Sequence, residues 1–196
     1  AKITRVVVST YQAASGAGAP AMAELYAQTR EFLGGTPDDE LTVSAFQHRI
    51  AFNCIPHIDV FLENGYTKEE DKMIFETKKI LNDFSLKITA TTVRVPVYYG
   101  HSESINVEFE KPFDLDELIE VLKNAPGVVV QNDSAHNEYP MAVTAAGKDE
   151  VFIGRIRRDE SVENGVNLWV VADNIRKGAA TNAVQIAEEI IKAMNE

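Results

Sequence analysis

The order of strand-like and helical segments constrains the fold of this chain more than any other feature. Runs that are rich in β-branched residues, or in which apolar and polar residues alternate, predict β-strands. The six predicted strands are Ile3–Ser9, Leu86–Val97, Ser102–Phe109, Gly127–Val130, Val151–Arg158 and Asn167–Val171. In the third of these, Ile105 and Val107 alternate with Ser104 and Asn106, so we expect one face of the sheet to meet water.

Helical segments separate these strands. Pro20 fits the first turn of one helix because its fixed φ suits that position, and Asp114 is a candidate N-cap for another. The predicted helices are 20–33, Lys68–Phe84, 114–122 and Asp173–Met194. Because no linker, repeat or low-complexity tract divides the chain, we predict one α+β domain over residues 1–196, with a mixed, mainly antiparallel sheet covered by helices.

Composition excludes several classes of protein. Hydrophobic residues make up 45% and charged residues 25% of the 196 residues, which is typical of a chain with a buried core. The net charge of -11 argues against a nucleic-acid partner, because an acidic surface repels phosphates. No apolar run reaches the roughly 18 residues of a membrane span, so no membrane partner is expected. Residues 1–10 lack the features of a signal peptide, and a cytoplasmic location is therefore predicted.

The start of the chain and its single cysteine carry further expectations. A predicted core strand begins at Ile3 with no initiator Met, which suggests that the chain was cut from a longer one. Cys54 is the one cysteine, so an internal disulfide and a multi-cysteine zinc site are excluded. Its neighbours in AFNCIP are apolar, and we expect a buried, inert thiol. None of the four histidines has metal-ligand spacing, and no metal site is predicted.

A glycine-rich loop follows the first strand. Gly16, Gly18 and Ala21 fit the dinucleotide fingerprint G-x-G-x-x-G/A, in which bare backbone lets a pyrophosphate approach a helix N-terminus. That fingerprint also needs an acidic residue after the next strand. The strand-like run Leu41–Phe46 is followed instead by Gln and His. A tight turn is therefore the favoured interpretation of this loop.

Three charged or titratable residues are candidates for chemistry. His101 ends RVPVYYGH at the junction of two predicted strands, where a catalytic histidine and a structural one are both possible. Glu69 and Lys72 stand three apart on a predicted helix and share a face, as a solvent-exposed ion pair would.

Five segments together resemble one enzyme family. They are 6–18 (VVVSTYQAASGAG), 51–60 (AFNCIPHIDV), 69–81 (EEDKMIFETKKIL), 94–102 (RVPVYYGHS) and 169–188 (WVVADNIRKGAATNAVQIAE). In this order they are similar to the C-terminal substrate-binding and dimerisation domain of aspartate-β-semialdehyde dehydrogenase. The resemblance implies the fold of the C-terminal domain of glyceraldehyde-3-phosphate dehydrogenase-like enzymes.

The resemblance implies NADPH-dependent reduction of aspartyl phosphate to aspartate semialdehyde, with release of phosphate. His101 would be the acid/base that takes the thiol proton, and Gln12 would orient the acyl group. Arg94 would hold the substrate α-carboxylate, because a planar guanidinium can make two parallel bonds to it. Glu69 would bind the substrate ammonium and Lys72 the phosphate.

The resemblance also implies that the nucleophile and most of the cofactor site lie outside residues 1–196. The family's nucleophilic cysteine lies in an Asn-Cys motif that precedes the Gln12 segment, so Cys54 is interpreted as structural. NADP would be bound mainly by an N-terminal Rossmann domain, with Ser15, Gly16 and Asn174 contributing near the nicotinamide. The terminal helix, 173–194, would pack on that domain. This chain alone is predicted to be inactive.

Assembly and alternatives follow from the same comparison. The family forms homodimers through the sheet of this domain, and Val93, Val95, Val151 and Ile153 would supply apolar area. A non-catalytic relative that acts as a dimerisation module is one alternative, although Gln12, Glu69, Lys72, Arg94 and His101 are all retained. A reductase that acts on an N-acyl-glutamyl phosphate is the other.

Overall fold

The computed structural model describes residues 1–195, and a six-stranded mixed sheet is its central element. The strands are β1 (Ile3–Gln12), β2 (Lys87–Arg94), β3 (His101–Phe109), β4 (Val128–Val130), β5 (Val151–Asp159) and β6 (Gly165–Ala172). They lie side by side in the order β2-β1-β3-β6-β5-β4. The β1–β2 and β4–β5 pairs are parallel and the other three are antiparallel, which confirms the predicted fold class.

Five α-helices accompany the sheet in the described residues. They are α1 (Ala19–Leu33), α2 (Lys68–Ile80), α3 (Leu115–Lys123), α4 (Ala142–Ala145) and α5 (Thr181–Asn195). Asp114 caps α3 as predicted, because its carboxylate accepts the Glu117 N–H at 2.9 Å. The prediction that α2 extends to Phe84 is wrong. Asn82 adopts a left-handed conformation with φ 50°, and this residue turns the chain out of the helix.

One face of the sheet carries the main apolar core. Side chains of β3, β5 and β6 on this face pack against α3, with Val107, Ile153 and Val166 buried. Val95 is buried as well. The prediction that Val95 and Ile153 contribute a partner surface is therefore wrong, because both side chains are already covered within the chain.

The opposite face of the sheet, which we call the open face, exposes a mixed surface. The Tyr11 ring on β1 lies 5.5 Å from the Trp169 ring on β6, across the small side chains of the intervening β3. Tyr11 remains 39% exposed, and Ser104 beside it is also exposed. A cavity of about 450 Å³ lies on this face, with Trp169 and Arg157 in its wall.

The segment between α1 and α2 forms an ordered loop, whereas a strand was predicted over Leu41–Phe46. Its main chain forms hydrogen bonds with side chains of α1 and not with a neighbouring strand. The Glu24 carboxylate accepts the N–H of Ser44 at 2.8 Å, and the Gln28 amide oxygen accepts that of Ile50 at 2.9 Å. Burial would raise the pKa of Glu24, but its hydrogen bonds to this loop lower that pKa.

The end of the chain differs from the single helix predicted over Asp173–Met194. The Asp173 carboxylate accepts the N–H groups of Ile175 and Gly147, which ties the start of this segment to the loop between α4 and β5. A π-helical turn, Arg176–Ala180, then precedes α5. Apolar residues of α5 are exposed, among them Ile190 at 55% and Met194 at 79%. Within residues 1–195, no helix is long and apolar enough to cross a membrane.

Candidate active site

Three predicted site residues meet at one end of the three neighbouring strands β2, β1 and β3. Gln12 ends β1 and Arg94 ends the parallel strand β2, and the two are register partners. His101 begins β3, which runs antiparallel to β1, so its start lies beside the end of β1. Side chains in equivalent register point to the same face. Residues far apart in the sequence are thus brought side by side by strand topology.

Ala13 connects the two titratable members of this group. Its N–H donates to Nδ1 of His101 at 3.1 Å, and its carbonyl oxygen accepts a hydrogen bond from Nη1 of Arg94 at 2.7 Å. Gly16 makes this arrangement possible for a steric reason. A methyl group on Gly16 would lie 2.8 Å from Nη1 of Arg94 and 3.2 Å from Nε2 of His101.

Arg94 is a buried guanidinium with unused hydrogen-bonding capacity. Its side chain has five N–H donors, and the bond to Ala13 is its one side-chain hydrogen bond among residues 1–195. Burial lowers the pKa of Arg94, and the nearby Glu69 carboxylate opposes that shift. A buried cation with open donors favours a carboxylate ligand, which accepts two parallel bonds from one guanidinium.

Helix α2 places Glu69 and Lys72 at the same site. The Oε1 atom of Glu69 accepts a hydrogen bond from Nε2 of Gln12 at 3.4 Å. Its Oε2 atom lies 3.6 Å from Nζ of Lys72, as the predicted ion pair requires. Lys72 is exposed, so its ammonium is open to an anion from solvent. The structure therefore places Gln12, Arg94, Glu69 and Lys72 close together, and these are residues to which the family resemblance assigns roles at one site.

Glu70 is a supporting residue that the sequence analysis missed. Its side chain and that of Thr67 form a capping box at the start of α2. The Oε1 atom of Glu70 also accepts the Thr92 N–H at 2.9 Å, which ties α2 to β2. The spacing Thr-x-x-Glu is a known sequence signal for such a cap and could have revealed it. This tie fixes the neighbouring Glu69 opposite Gln12.

The environment of His101 favours the neutral imidazole. Burial and the charge of Arg94 lower its pKa to about 4, while Asp173 acts in the opposite direction. Asp173 was predicted as a helix start and not as a site residue. No sequence pattern marks a carboxylate whose partners are main-chain N–H groups from separate parts of the chain.

The three predicted cofactor-binding residues also lie together. Asn174 Oδ1 accepts hydrogen bonds from Ser15 Oγ and from the Gly100 N–H, each at 3.1 Å. The Asn174 amide nitrogen has no partner within residues 1–195, and Gly16 beside Ser15 presents bare, exposed backbone. An open amide donor next to accessible backbone fits the carboxamide end of a nicotinamide.

Cys54 lies outside this group, but for a different reason from the one predicted. The thiol is exposed, so the expectation of a buried cysteine is wrong. Ile55 is the bridge partner of Arg94, and successive side chains of extended backbone point to opposite sides. Cys54 is therefore directed away from the side that Arg94 occupies. Among residues 1–195, no three His, Cys, Asp or Glu side chains are grouped to hold a metal ion.

This fold and this group of residues define a sheet domain with a candidate binding site for a small zwitterionic substrate. Comparison with known proteins identifies its family. Residues 1–177 match the family described as semialdehyde dehydrogenase, dimerisation domain. The chain belongs to that family.

The relatives have a consistent name. The aspartate-semialdehyde dehydrogenase of Aquifex aeolicus is 59% identical over 192 residues, which are 98% of this chain and 56% of that protein. The crystal structure of aspartate semialdehyde dehydrogenase II from Vibrio cholerae, complexed with ASA, matches this chain with a TM-score of 0.91 at 49% identity. The match covers 97% of this chain and 55% of the Vibrio cholerae chain. A Candida albicans aspartate semialdehyde dehydrogenase with NADP has a TM-score of 0.67 and covers 99% of this chain and 52% of its own; at 24% identity it shows the shared fold alone. The chain thus spans about half the length of the relatives it matches.

Proposed function

We propose that this chain is the substrate-binding and dimerisation part of an aspartate-semialdehyde dehydrogenase, which reduces L-aspartyl 4-phosphate to L-aspartate 4-semialdehyde with NADPH. The observation that carries the proposal is the buried Arg94 guanidinium, which faces the site with most of its donors open. The naming of relatives up to 59% identical supports it.

The substrate carries a carboxylate, an ammonium and a phosphate, and the site offers one complement to each. Arg94 binds the α-carboxylate in two parallel hydrogen bonds. Glu69 binds the ammonium, and its distance of 3.6 Å from Lys72 places a cation for the phosphate close by. Because Glu69 also contacts Gln12, the charged groups of the substrate are bound beside the residue that orients the acyl group.

His101 and Gln12 act at the acyl carbon in this proposal. Both lie at the same end of the strands as Arg94, so a substrate held by Arg94 presents its acyl group to them. The nucleophile is a cysteine from the part of the family's sequence that precedes the Gln12 segment. Cys54 does not take this role, because it is directed away from the Arg94 side of the backbone.

NADP is the proposed cofactor, and it supplies the hydride when bound. Asn174 would donate its open amide hydrogens to the nicotinamide carboxamide. Ser15 orients that amide through its bond to Oδ1, and Gly16 leaves room for the ring. In full-length members of the family, the remaining contacts to the cofactor come from the N-terminal Rossmann domain. A cytoplasmic location remains a prediction, as does the packing of the terminal segment, residues 173–194, on that domain.

A homodimer through the open face of the sheet is part of the same proposal. The family model is described as a dimerisation domain, which supports a self-complementary partner surface. The exposed Tyr11 ring and the Trp169 ring it contacts provide aromatic area of the kind enriched in interfaces. Light scattering of the purified chain at micromolar concentration is expected to give twice its 21.7 kDa mass. A mass of one chain would contradict the dimer.

Substrate choice tests the proposed activity. The full-length enzyme is assayed for phosphate-dependent NADPH formation with aspartate semialdehyde and, in parallel, with N-acetylglutamate semialdehyde. We expect turnover of the first, because Glu69 offers a carboxylate to a free ammonium, and little turnover of the acylated compound. Preference for the acylated substrate would favour the N-acyl-glutamyl-phosphate reductase, and no turnover of either would favour the dimerisation module.

A further inference from the structure

We propose that Asp173 is a positioning residue for the cofactor, because its buried carboxylate fixes the turn that carries Asn174. Asp173 acts through Asn174 and has no contact of its own with the cofactor. This inference rests on the proposed function, in which the Asn174 amide donates to the nicotinamide carboxamide. It adds the residue that holds that amide in place.

The Asp173 carboxylate is buried and accepts hydrogen bonds through both of its oxygen atoms. The residue is 4% exposed, and an acid is buried to this extent when hydrogen bonds offset the loss of water. Its Oδ1 accepts the N–H groups of Ile175 at 2.8 Å and Arg176 at 3.2 Å, and its Oδ2 accepts that of Gly147 at 2.7 Å. Bonds to an ionised acceptor are stronger than bonds between neutral groups. The carboxylate therefore spans Asn174 and joins this turn to the loop between α4 and β5.

The main chain on both sides of this carboxylate strengthens the arrangement. The carbonyl oxygen of Asp173 accepts the Lys177 N–H at 2.9 Å, which continues the turn into the π-helical turn. Gly147, in the facing loop, has φ 81°, a left-handed conformation that glycine adopts without strain. Asp173 thus connects two segments whose backbones are themselves well defined.

The orientation of the Asn174 amide follows from its two partners. A main-chain N–H can only donate, so the Asn174 atom 3.1 Å from the Gly100 nitrogen must be the oxygen, and the Ser15 hydroxyl donates to the same oxygen. The amide nitrogen is then on the other side of the group, with two hydrogens that have no partner within residues 1–195. Because Asp173 fixes the main chain and these two donors fix the side chain, the amide loses little freedom when a ligand binds.

Asp149 contacts the same terminal segment in a different way. Its carboxylate accepts Nε and Nη2 of Arg176 at 2.7 and 2.9 Å and the Thr181 hydroxyl at 3.0 Å. These bonds lie beyond the turn and do not span Asn174. A change at Asp149 therefore loosens the attachment of α5 and leaves the bonds of Asp173 in place, which makes it a matched control.

Substitutions in the full-length enzyme separate these two contributions. Asp173→Asn has one acceptor oxygen in place of two, so it cannot serve both the turn and Gly147. We expect Kd for NADPH, measured from the change in NADPH fluorescence, to rise by about three- to tenfold, as the loss of one neutral hydrogen bond predicts. KM for aspartate semialdehyde is expected to stay unchanged, because Arg94 and Glu69 do not depend on this turn. Asp149→Asn is expected to change Kd by less than about twofold.

A double-mutant cycle tests whether Asp173 acts through Asn174. Asn174→Ala alone is expected to raise Kd for NADPH, and Asp173→Asn added to it is expected to cause no further rise, because the positioned amide is already gone. Melting temperatures of all variants are measured in parallel. If Asp173→Asn does not fold, Asp173→Ser takes its place in the cycle, because serine can still accept an N–H at the start of the turn but is too short to reach Gly147.

Three results would overturn the inference. They are equal effects of Asp173→Asn and Asp149→Asn on Kd, an equal rise in KM for aspartate semialdehyde, and effects of Asp173→Asn and Asn174→Ala that multiply in the double variant. Failure of the proposed function is a different result. The original enzyme would then bind NADPH without turning over aspartate semialdehyde, and the comparison of Kd values would still decide the role of Asp173.

Discussion

Ile55 and Arg94 exchange two main-chain hydrogen bonds, with the Ile55 N–H 2.9 Å from the Arg94 oxygen and the Arg94 N–H 2.8 Å from the Ile55 oxygen. This pair extends the edge of the sheet beyond β2 at the residue that carries the guanidinium. The loop between α1 and α2 is therefore part of the scaffold of the candidate site. Contacts that stabilise that loop therefore also stabilise the position of Arg94.

Gln28 is the residue of α1 on which this loop depends most. It is fully buried, and its amide bonds the N–H groups of Ile50 and Ala51 and the Thr42 oxygen. Gln28→Met leaves the buried N–H groups of Ile50 and Ala51 unsatisfied, at about 1–3 kcal/mol for each. We expect the free energy of unfolding, measured in urea, to fall by about 2–6 kcal/mol. Gln47→Met, at an exposed position, is the control. Equal effects in the two variants would contradict this role.

Arg94→Lys tests substrate binding in the full-length enzyme. Lysine keeps the charge but cannot make two parallel bonds to a carboxylate. We expect KM for aspartate semialdehyde to rise and kcat/KM to fall by roughly 10- to 100-fold, as the loss of one charge-assisted hydrogen bond predicts. Arg30→Lys, on the exposed surface of α1, is expected to change neither constant. Unchanged kinetics in Arg94→Lys would remove Arg94 from the site.

Gly16→Ala tests the close approach of Arg94 and His101. The added methyl group would lie 2.8 Å from Nη1 of Arg94, so the guanidinium must move. The backbone of Gly16 is not left-handed, and alanine introduces no conformational strain there. We therefore expect kcat/KM to drop by about tenfold or more, while the melting temperature stays near that of the original enzyme. Ala17→Ser at the exposed neighbouring position is the control. Full activity in Gly16→Ala would show that the spacing has no function.

His101 makes stability depend on pH in a defined window. Its pKa is lowered from 6.5 in the unfolded chain to about 4 in the folded one, first by burial and then by Arg94. Between these values the unfolded chain binds the extra proton, so stability is expected to decrease as pH falls from 6.5 towards 4. Glu103, with a raised pKa, contributes in the opposite direction. Urea unfolding at several pH values should show a weaker dependence for His101→Gln, and an unchanged slope would contradict the lowered pKa.

The sequence predicted the strands because their β-branched runs are local signals. It also predicted that Glu69 and Lys72 form an ion pair, because i,i+3 spacing on a helix places them on one face. The family resemblance, and not any local pattern, placed Gln12, Arg94 and His101 in one site. Their meeting depends on β1 lying between β2 and β3, which strand composition does not encode.

The errors in prediction share a physical cause. Leu41–Phe46 has the composition of a strand, but Glu24 accepts the Ser44 N–H and Gln28 donates to the Thr42 carbonyl, and both side chains are distant in sequence. Cys54 has apolar neighbours yet is exposed, because its backbone pairs with β2 through Ile55 and leaves the thiol on the outside. In both cases a tertiary hydrogen bond, invisible in the local pattern, decides the structure.

The most direct test of the central claim is phosphate-dependent NADPH formation from aspartate semialdehyde by the purified 196-residue chain, alone and with the family's N-terminal domain added in trans. In the proposed enzyme, this chain would contribute the substrate-binding residues and His101, and the nucleophile and most of the cofactor site would come from the N-terminal domain. We therefore predict no turnover by the chain alone, and turnover that requires Arg94 once the other domain is present. Turnover by the chain alone that Cys54→Ser abolishes would contradict the account.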